Sequence, residues 1–420
     1  MNDSPGIVIA GAGQAAFQLA ASLRDFGDQR RIVMIGEESH APYQRPPLSK
    51  THLTDTGSDS KLAFRAESFY SEKQIELRTG RRVVALHRHR RKAVLDDGDA
   101  LDYEHFVLAV GARNRQLTIP GSDLHGVHYL RSLDEAQALR AALRTAKSMV
   151  VIGAGFIGLE VAATAAKLGI AVTVIEVADR PMARALSTTM SAIFADQHTQ
   201  QGLRLLFGTQ VLRLLGEARQ VRAVEVVSNA DAPTQQIAAD LVLVGIGVVP
   251  NTELAAAAGL AVGNGIVVDQ TLATSDPQVS AMGDCALHPN VYAAGDLVRL
   301  ESVQNAIEQA RCIAARLTGK TAPYVNIPWF WSDQGNLKLQ IAGLSSGADQ
   351  AVLRGDVANA ACSVYCFRAG QLLAVETVNR PAEHLQARRL ITQRIALTPA
   401  QAADPSFDIK ALIAGAHAPG

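Results

Sequence analysis

Short, almost uninterrupted apolar runs that stop at glycine recur along the chain, and they predict buried parallel strands. The first run, Gly6–Ala10, leads into the turn Gly-Ala-Gly-Gln-Ala-Ala at 11–16 and then into a helical stretch through Arg24. A second apolar run follows over 31–37. Strand, glycine turn, helix and strand in this order predict a βαβ nucleotide-binding unit.

The same pattern returns later, so the chain contains an internal repeat. The second copy begins with the strand-like run 148–152, turns through Gly-Ala-Gly-Phe-Ile-Gly at 153–158, and has its second strand over 171–176. Both copies then contain short alternating runs, over 80–103 and 208–239, before a last apolar strand. We therefore predict two Rossmann-type units, each with a β-meander inserted near its end.

The rest of the chain does not repeat this βαβ pattern. The segment Thr274–Asp284 and a helix near 303–317 are expected to return to the first unit and complete it. From about Pro323 the pattern predicts a separate α+β domain. Its strand-like runs lie over 338–342, 351–354, 363–367 and 372–377, and its helical stretches lie near 381–395 and 408–414.

Composition and charge then narrow the classes of function. The 40 basic and 40 acidic residues cancel, which argues against nucleic acid as the main partner because no basic excess exists to neutralise phosphates. Four cysteines in 420 residues do not form a disulfide scaffold, and no Lys or Arg precedes Arg24 to make a signal-peptide n-region. No charge-free apolar run reaches the roughly 18 residues of a membrane helix. A cytoplasmic protein without a membrane partner is expected.

The first glycine turn is a candidate dinucleotide site. Gly11 and Gly13 would place backbone N–H groups at a helix N-terminus, where a pyrophosphate binds, and the third position, Ala16, needs only a small residue. Glu37 ends the second strand and is placed to accept hydrogen bonds from a ribose diol. A tight turn without a ligand is the alternative, and the presence of strand, helix and acidic residue together argues against it.

The second turn, with Gly153, Gly155 and Gly158, matches the full fingerprint, and Glu176 is its acidic residue. NADP would bring a phosphate of about −1.5 to −2 charges next to that carboxylate. One unit of like charge at ~4 Å costs about 4 kcal/mol at an effective dielectric constant of ~20. A preference for NADH is therefore predicted, the alternative being a merely solvated carboxylate. Arg184 could clamp the cofactor or be a surface arginine, and Phe156, Ile157 and Gly247 complete the predicted NAD site.

A Gly-Asp motif later in the chain normally goes with flavin at the first of two such turns. Two candidates occur, Asp284 in Met-Gly-Asp and Asp296 in Ala-Gly-Asp. Asp284 is favoured because Thr-Ser-Asp-Pro makes a good turn into a strand and 287–299 then resembles a loop; Asp296 stays the alternative. The predicted domains are 1–115 with 243–323 for FAD, 116–242 for NAD, and 324–420 at the C-terminus.

One motif resembles a known family. The run Pro-Tyr-Gln-Arg-Pro-Pro-Leu-Ser-Lys at 42–50 is similar to the flavin-side loop of the NADH-dependent ferredoxin reductases of bacterial oxygenase systems, the putidaredoxin reductase-like group. Further matches lie over 129–134, 153–163, 299–306, 328–334 and 375–381, so the resemblance spans nearly the whole chain. The Gly-Ala-Gly-Gln-Ala-Ala turn departs mildly from the usual pattern.

The resemblance implies a glutathione-reductase-like α/β fold with FAD, NAD and C-terminal interface domains. It also implies a set of FAD-binding residues, with Arg45 and Trp331 near the isoalloxazine ring. The set is Ala15, Glu37, Arg45, Lys50, Val83, Ala109, Arg131, Asp284, Val303 and Trp331, together with Gly11 and Gly13 of the first turn.

Hydride transfer to the flavin indicates candidate catalytic residues. A hydride from NADH must reach flavin N5, and a cation there would stabilise the extra negative charge of the reduced ring. Lys50 is the candidate cation, and Glu160, two residues after Gly158, could pair with it. The alternatives are an exposed loop lysine and a helix-surface glutamate. Trp331, which the resemblance places near the isoalloxazine ring, is the third candidate catalytic residue.

The acceptor is inferred from missing thiols. A disulfide or peroxide reductase of this fold needs cysteine near the flavin, and 38–55 contains none. Cys285, Cys362 and Cys366 are expected to be core residues. No cysteine cluster could hold an iron–sulfur centre, and no metal site is predicted. Electrons must then leave for an external acceptor.

The resemblance points to a small acidic [2Fe–2S] ferredoxin that serves a P450 or Rieske oxygenase, and that receives the two electrons in single steps. Arg311, Lys338 and Lys410 are weak candidates for a docking patch, and the basic run 87–92 is expected to be a solvated turn. A rubredoxin reductase and an NADH-sensing flavoprotein like apoptosis-inducing factor stay open as alternatives.

Overall fold

The computed structural model describes residues 5–55, 59–229 and 231–416. The first four residues, on which the expected lack of a signal peptide partly depends, lie outside them. The chain divides into two compact units. Unit 1 comprises the described residues within 1–44, 58–113 and 248–328, and unit 2 those within 45–57, 114–247 and 329–420.

The described strands are, in chain order, β1 Gly6–Ala10, β2 Ile32–Gly36, β3 Ile75–Thr79, β4 Val83–His87, β5 Lys92–Leu95, β6 Ala100–Leu108, β7 Ala112–Asn114, β8 Val127–His128, β9 Ser148–Ile152, β10 Ala171–Ile175, β11 Arg204–Leu206, β12 Gln210–Glu217, β13 Gln220–Val227, β14 Gln235–Ala238, β15 Leu241–Val244, β16 Val248–Pro250, β17 Val262–Gly263, β18 Gly265–Val267, β19 Val279–Ala281, β20 Ala286–Pro289, β21 Leu297–Val298, β22 Trp329–Gln334, β23 Leu337–Gly343, β24 Gln350–Asp356, β25 Ala361–Arg368 and β26 Gln371–Val378.

The described α-helices are α1 Gln14–Asp25, α2 Thr51–Thr54, α3 Glu67–Glu72, α4 Leu133–Leu143, α5 Phe156–Lys167, α6 Thr188–Gln200, α7 Glu253–Ala257, α8 Val303–Leu317, α9 Pro381–Thr392, α10 Pro399–Ala403 and α11 Ile409–Gly415. Short 3₁₀ turns lie at Pro46–Ser49, Asp59–Leu62, Arg88–Arg90, Gly283–Cys285 and Val291–Ala293.

Unit 1 contains the first predicted nucleotide fold. Strands β3, β2, β1 and β6 are parallel neighbours, and β19 pairs with the free side of β6. Strand β6 is long enough to serve two purposes. Its first half pairs antiparallel with β5 in the β4–β5 meander, and its second half runs parallel to β1. The predicted meander inserted near the end of a βαβ unit is therefore present.

Unit 2 repeats this plan and adds a second sheet. Strands β11, β10, β9, β15 and β8 form a parallel sheet, and β12, β13 and β14 form the antiparallel meander between its last strands. The C-terminal sheet has the order β22-β23-β26-β25-β24 and is antiparallel throughout. Helix α9 packs on β23 and β26. The inner strands β1 and β9 of the two parallel sheets are buried on both faces, as their uninterrupted apolar runs predicted.

Three expectations from the sequence were wrong in detail. The expected loop over 287–299 contains the hairpin β20–β21, and β20 is also a parallel partner of β18. Strand β22 was not predicted, because its aromatic and polar residues lack a simple apolar alternation. The helix expected to reach residue 395 ends at Thr392, and a separate capped turn, α10, follows with proline at its first position.

Among the residues that the structure describes, no helix combines the length and apolarity required to cross a membrane.

Candidate functional site

The first glycine turn lies in unit 1, where neighbouring strands crowd it. Gly11 has φ +120° and its N–H donates to the Ile35 carbonyl at 2.7 Å. A Cβ at this position would lie 2.2 Å from the Ala109 carbonyl oxygen, so only glycine fits. Ala109 therefore lies directly against this glycine turn.

The space in front of this turn is open. No described atom lies within 4 Å of where a Cβ on Gly13 would be. Gly13 is the N-cap of α1, and no side chain caps the helix, whereas serine side chains cap α4, α6 and α8. The first N–H groups of α1 are therefore left for a ligand, and a pyrophosphate suits them in charge and position.

The Gly-Asp motif with Asp284 packs beside this helix start. The Gly283 N–H donates to Oε1 of the buried Gln309 at 2.8 Å, and a Cβ on Gly283 would lie 3.4 Å from the Ala15 Cβ. Asp284 thus follows a residue that contacts the first turn of α1. Asp296 lies exposed in the β20–β21 hairpin, and unit 1 does not bring it to this turn.

The other predicted FAD residues of unit 1 lie at the ends of its elements. Glu37 follows β2 with its side chain exposed, and it forms a 3.7 Å ion pair with the exposed Arg82. Exposed pairs of this kind are weak, so the carboxylate can still accept from a ribose. Val83 begins β4 and Val303 begins α8.

The second glycine turn lies in unit 2 and has the same local geometry. The Gly153 N–H donates to the Ile175 carbonyl at 2.7 Å, and a Cβ there would lie 2.3 Å from the Gly245 carbonyl oxygen. A Cβ on Gly158 would meet the Gly153 carbonyl oxygen at 2.3 Å. Gly155 is the N-cap of α5, again without a side-chain cap. This turn can receive a second dinucleotide in the same way.

Glu176 is held at this turn by two backbone groups. Its Oε2 accepts from the Ala154 N–H at 2.8 Å and its Oε1 from the Ala178 N–H at 3.0 Å. The carboxylate is therefore fixed beside the glycine turn and is more than a solvated strand end. Arg184 is exposed, and its guanidinium lies 3.2 Å from where a Cβ on Gly247 would be.

The first two residues of α5 differ in their surroundings. Phe156 packs on Phe330 with 4.5 Å between ring centroids, while Ile157 is 46% exposed. Ile157 is therefore accessible at the turn, whereas Phe156 anchors α5 to strand β22.

Lys50 and Glu160 form an ion pair inside unit 2, as the sequence suggested. Lys50 Nζ lies 2.7 Å from Glu160 Oε2, and the glutamate side chain is only 3% exposed. The Ser49 hydroxyl also donates to Oε2, and the Ser332 hydroxyl donates to Oε1 at 2.7 Å. A buried carboxylate needs such partners, because an unpaired one would cost several kcal/mol. Ser49 and Ser332 were not singled out in the sequence.

Arg45, Arg131 and Trp331 also belong to unit 2. Arg45 precedes the 3₁₀ turn that carries Ser49, and its guanidinium donates to the Arg131 carbonyl. The Trp331 ring lies on β22, half-buried, with its centroid 5.6 Å from that of Trp329. All predicted NAD residues fall in unit 2, and the predicted FAD residues are divided between the units.

The buried cysteines carry no thiol chemistry. Burial raises the pKa of Cys285 to about 11 and that of Cys362 to about 11, and it raises the pKa of Cys366 further. A thiol must ionise to act as a nucleophile, so these three remain inert core residues.

The comparison with known families decides the assignment. The Pyridine nucleotide-disulphide oxidoreductase family matches residues 5–310, and the Reductase C-terminal family matches residues 329–413. The chain belongs to the first of these families. This membership confirms the predicted fold class and an oxidoreductase that uses FAD and NADH.

Similar proteins of known function match over almost their full length. Rhodocoxin reductase of Rhodococcus erythropolis is 50% identical over 97% of this chain and 94% of its own. A solved ferredoxin reductase from Rhodopseudomonas palustris has 49% identity and a TM-score of 0.94, covering 97% of this chain and 99% of its own. Putidaredoxin reductase, solved in a covalent complex with putidaredoxin, has 40% identity and a TM-score of 0.94 over 100% of both chains. The resemblance to the putidaredoxin reductase-like group is confirmed.

The fixed carboxylate of Glu176 leads to a prediction about the donor. The protein with FAD bound is expected to be reduced by NADH about a hundredfold faster than by NADPH at equal, subsaturating concentration, because the additional ribose phosphate of NADPH would face this carboxylate. Glu176→Gln keeps the side-chain shape and should narrow the ratio to roughly tenfold or less. Stopped-flow absorbance of the flavin measures both rates. Glu217→Gln, an exposed change elsewhere in unit 2, is the control, and equal wild-type rates with the two donors would refute the role of Glu176.

Proposed function

We propose that this protein is an NADH:ferredoxin reductase that passes electrons from NADH through FAD to a [2Fe–2S] ferredoxin serving a P450 or Rieske oxygenase. The observation that carries this is the Lys50–Glu160 ion pair. The lysine of this pair lies in the segment 38–55, where a disulfide reductase of this fold would need its thiols, and that segment has no cysteine.

The two glycine turns are assigned to two different dinucleotides. We assign FAD to the turn with Gly11, Gly13 and Ala15, with Asp284 beside it, and NADH to the turn with Gly153, Gly155 and Gly158. FAD, when bound, accepts two electrons together and can release them singly. Lys50 supplies the cation that favours the reduced cofactor, and Glu160 fixes where that cation lies.

The relatives support an iron–sulfur protein as the acceptor. Of the relatives described above, one is named a ferredoxin reductase, and another was solved in a covalent complex with putidaredoxin. The acceptor of this chain is proposed on that basis to be a small acidic ferredoxin. Four unpaired cysteines, three of them buried, support a reducing, cytoplasmic location as part of the same proposal.

The domain division also stays a proposal. We assign 1–115 with 243–323 to FAD, 116–242 to NAD and 324–420 to the C-terminal domain. The end of one family match at 310 and the start of the next at 329 support the start of the C-terminal domain alone.

The acceptor is tested with cytochrome c as the final electron sink. NADH-driven cytochrome c reduction is expected to rise at least tenfold when a purified [2Fe–2S] ferredoxin is added, because the ferredoxin carries single electrons from the flavin. Rubredoxin at the same concentration is the matched control. Stimulation by rubredoxin alone would favour the rubredoxin reductase alternative, and no stimulation by either would refute an iron–sulfur or iron acceptor.

A further inference from the structure

Glu160 lies at one end of a buried chain of side chains that the cofactor assignments do not use. The chain continues from Ser332 to Gln334 on strand β22 and ends at His198 on helix α6. The side chains of Ser332, Gln334 and His198 are 0% exposed, all within unit 2.

Strand alternation explains why these residues meet. Side chains two apart on a strand point to the same face, so Phe330, Ser332 and Gln334 share one face of β22. Phe330 packs on Phe156 of α5, and Ser332 reaches Glu160, one helical turn further along the same face of α5. Gln334 continues past the helix to His198.

The hydrogen bonds along this chain all point toward the carboxylate. Ser332 donates its only hydroxyl proton to Glu160 Oε1 at 2.7 Å, because an ionised carboxylate can only accept. The Ser332 oxygen therefore accepts from the Gln334 Nε2 group at 3.1 Å, which fixes the orientation of the Gln334 amide. The amide oxygen then faces His198 Nε2 at 2.7 Å and must accept from it.

This order determines the form of the histidine. His198 Nε2 must carry a proton, and Nδ1 has no hydrogen-bond partner among the described residues. Burial lowers the pKa of His198, which favours the neutral ring with Nδ1 unprotonated. The chain is thus a continuous series of donors, from histidine N–H to amide N–H to hydroxyl, and hydrogen bonds in series polarise and strengthen one another.

We propose that Ser332, Gln334 and His198 are positioning residues that fix the Glu160 carboxylate, and through it the Lys50 ammonium, for the reduction of FAD by NADH. The two carboxylate oxygens of Glu160 have different hydrogen-bond partners. Oε2 accepts from Lys50 and Ser49, and among the described residues Oε1 accepts from the Ser332 hydroxyl. Without the bond to Oε1 the carboxylate could rotate, and the ammonium would move with it. The proposal rests on the proposed function in two respects: NADH reduces the bound FAD, and Lys50 acts in that reduction; the Lys50→Ala variant tests the second of these separately.

The kinetic test separates positioning from binding. Ser332→Ala is expected to lower the limiting rate constant of flavin reduction roughly tenfold, the effect of one hydrogen bond to a charged group. The NADH dissociation constant from the same stopped-flow titration should change less than about twofold, since Ser332 is not assigned to the NADH site. Gln334→Met, which keeps the volume but severs the chain, should lower the rate constant about threefold.

The matched control lies on the same strand. Asp333 points to the opposite face of β22, and Asp333→Asn is expected to keep the wild-type rate constant. A wild-type rate constant in Ser332→Ala would overturn the proposal, and so would a loss that falls entirely on NADH affinity.

A spectroscopic test does not depend on turnover. In the holoenzyme labelled with ¹⁵N-histidine, the His198 ring is expected to be neutral and protonated on Nε2 between about pH 6 and 8, the range in which an ordinary histidine titrates. The signal is assigned by its loss in His198→Gln, and by its shift in Gln334→Met if that first variant does not fold. Protonation on Nδ1 would overturn the proposal. Neither test involves the electron acceptor, so a failed ferredoxin assignment leaves both results interpretable.

Discussion

Lys50→Ala is expected to slow the reduction of bound flavin by NADH roughly a hundredfold, while the protein still purifies with FAD. The expected loss is that of one preorganised electrostatic group, about 2.7 kcal/mol or more in the barrier. The variant also leaves Glu160, 3% exposed, without its cation. Breaking a buried pair on one side costs about 3–5 kcal/mol of stability, so a lower thermal midpoint is expected as well.

A double variant separates these two effects. Lys50→Ala with Glu160→Gln removes the buried charge, and it should recover most of the lost stability but not the rate. Lys167→Ala is the matched control, because Lys167 is an exposed lysine in the last turn of the same helix, α5. Flavin content, thermal midpoint and stopped-flow reduction are measured on all four proteins. A Lys50→Ala protein that is reduced at the wild-type rate would remove the lysine from the mechanism.

Asp284→Ala is expected to lose most of its flavin during purification. Removing an ionised acceptor from a ligand's hydrogen-bond set costs about 1.5–3 kcal/mol, which lowers FAD affinity roughly 10- to 100-fold. The fold should persist, because the neighbouring hydrogen bond runs from the Gly283 backbone N–H to the Gln309 side chain and does not involve the Asp284 side chain. The ratio of flavin to protein absorbance, followed by titration of the apoprotein with FAD, gives the affinity.

Asp296→Ala provides the control that the chain itself offers. Asp296 is in the same Gly-Asp dipeptide context but lies exposed in the β20–β21 hairpin. It is expected to keep wild-type flavin content. If Asp296→Ala loses FAD and Asp284→Ala retains it, the flavin assignment of the Gly-Asp motif is reversed.

The sequence by itself determined the two nucleotide folds and their cofactors. The reason is that a glycine turn is a local requirement. At Gly11 and Gly153, φ is positive and a Cβ would lie 2.2–2.3 Å from a carbonyl oxygen, so every other residue is excluded. The requirement for glycine can therefore be recognised from the amino-acid sequence. The helix α8, with its serine cap and apolar face, was located within its true bounds for the same local reason.

The choice between Asp284 and Asp296 needed the fold. Both follow Gly in similar sequence, and local rules favoured the first only through its turn into a strand. The tertiary structure distinguishes them. Pairing of β19 with β6 places Gly283 in contact with Gln309 and next to Ala15. Asp296 instead lies in the loop of the β20–β21 hairpin.

The side chains around Glu160 could not be assembled from the sequence beyond the ion pair itself. Lys50 and Ser332 lie 110 and 172 residues from Glu160 in the chain. Whether Ser332 or Asp333 faces the helix depends on the register of β22, and a slip by one residue would exchange the two faces. Local patterns therefore located the two glycine turns to which FAD and NADH are assigned. Only the packing of β22 on α5 decided which buried groups hold the lysine and glutamate in place.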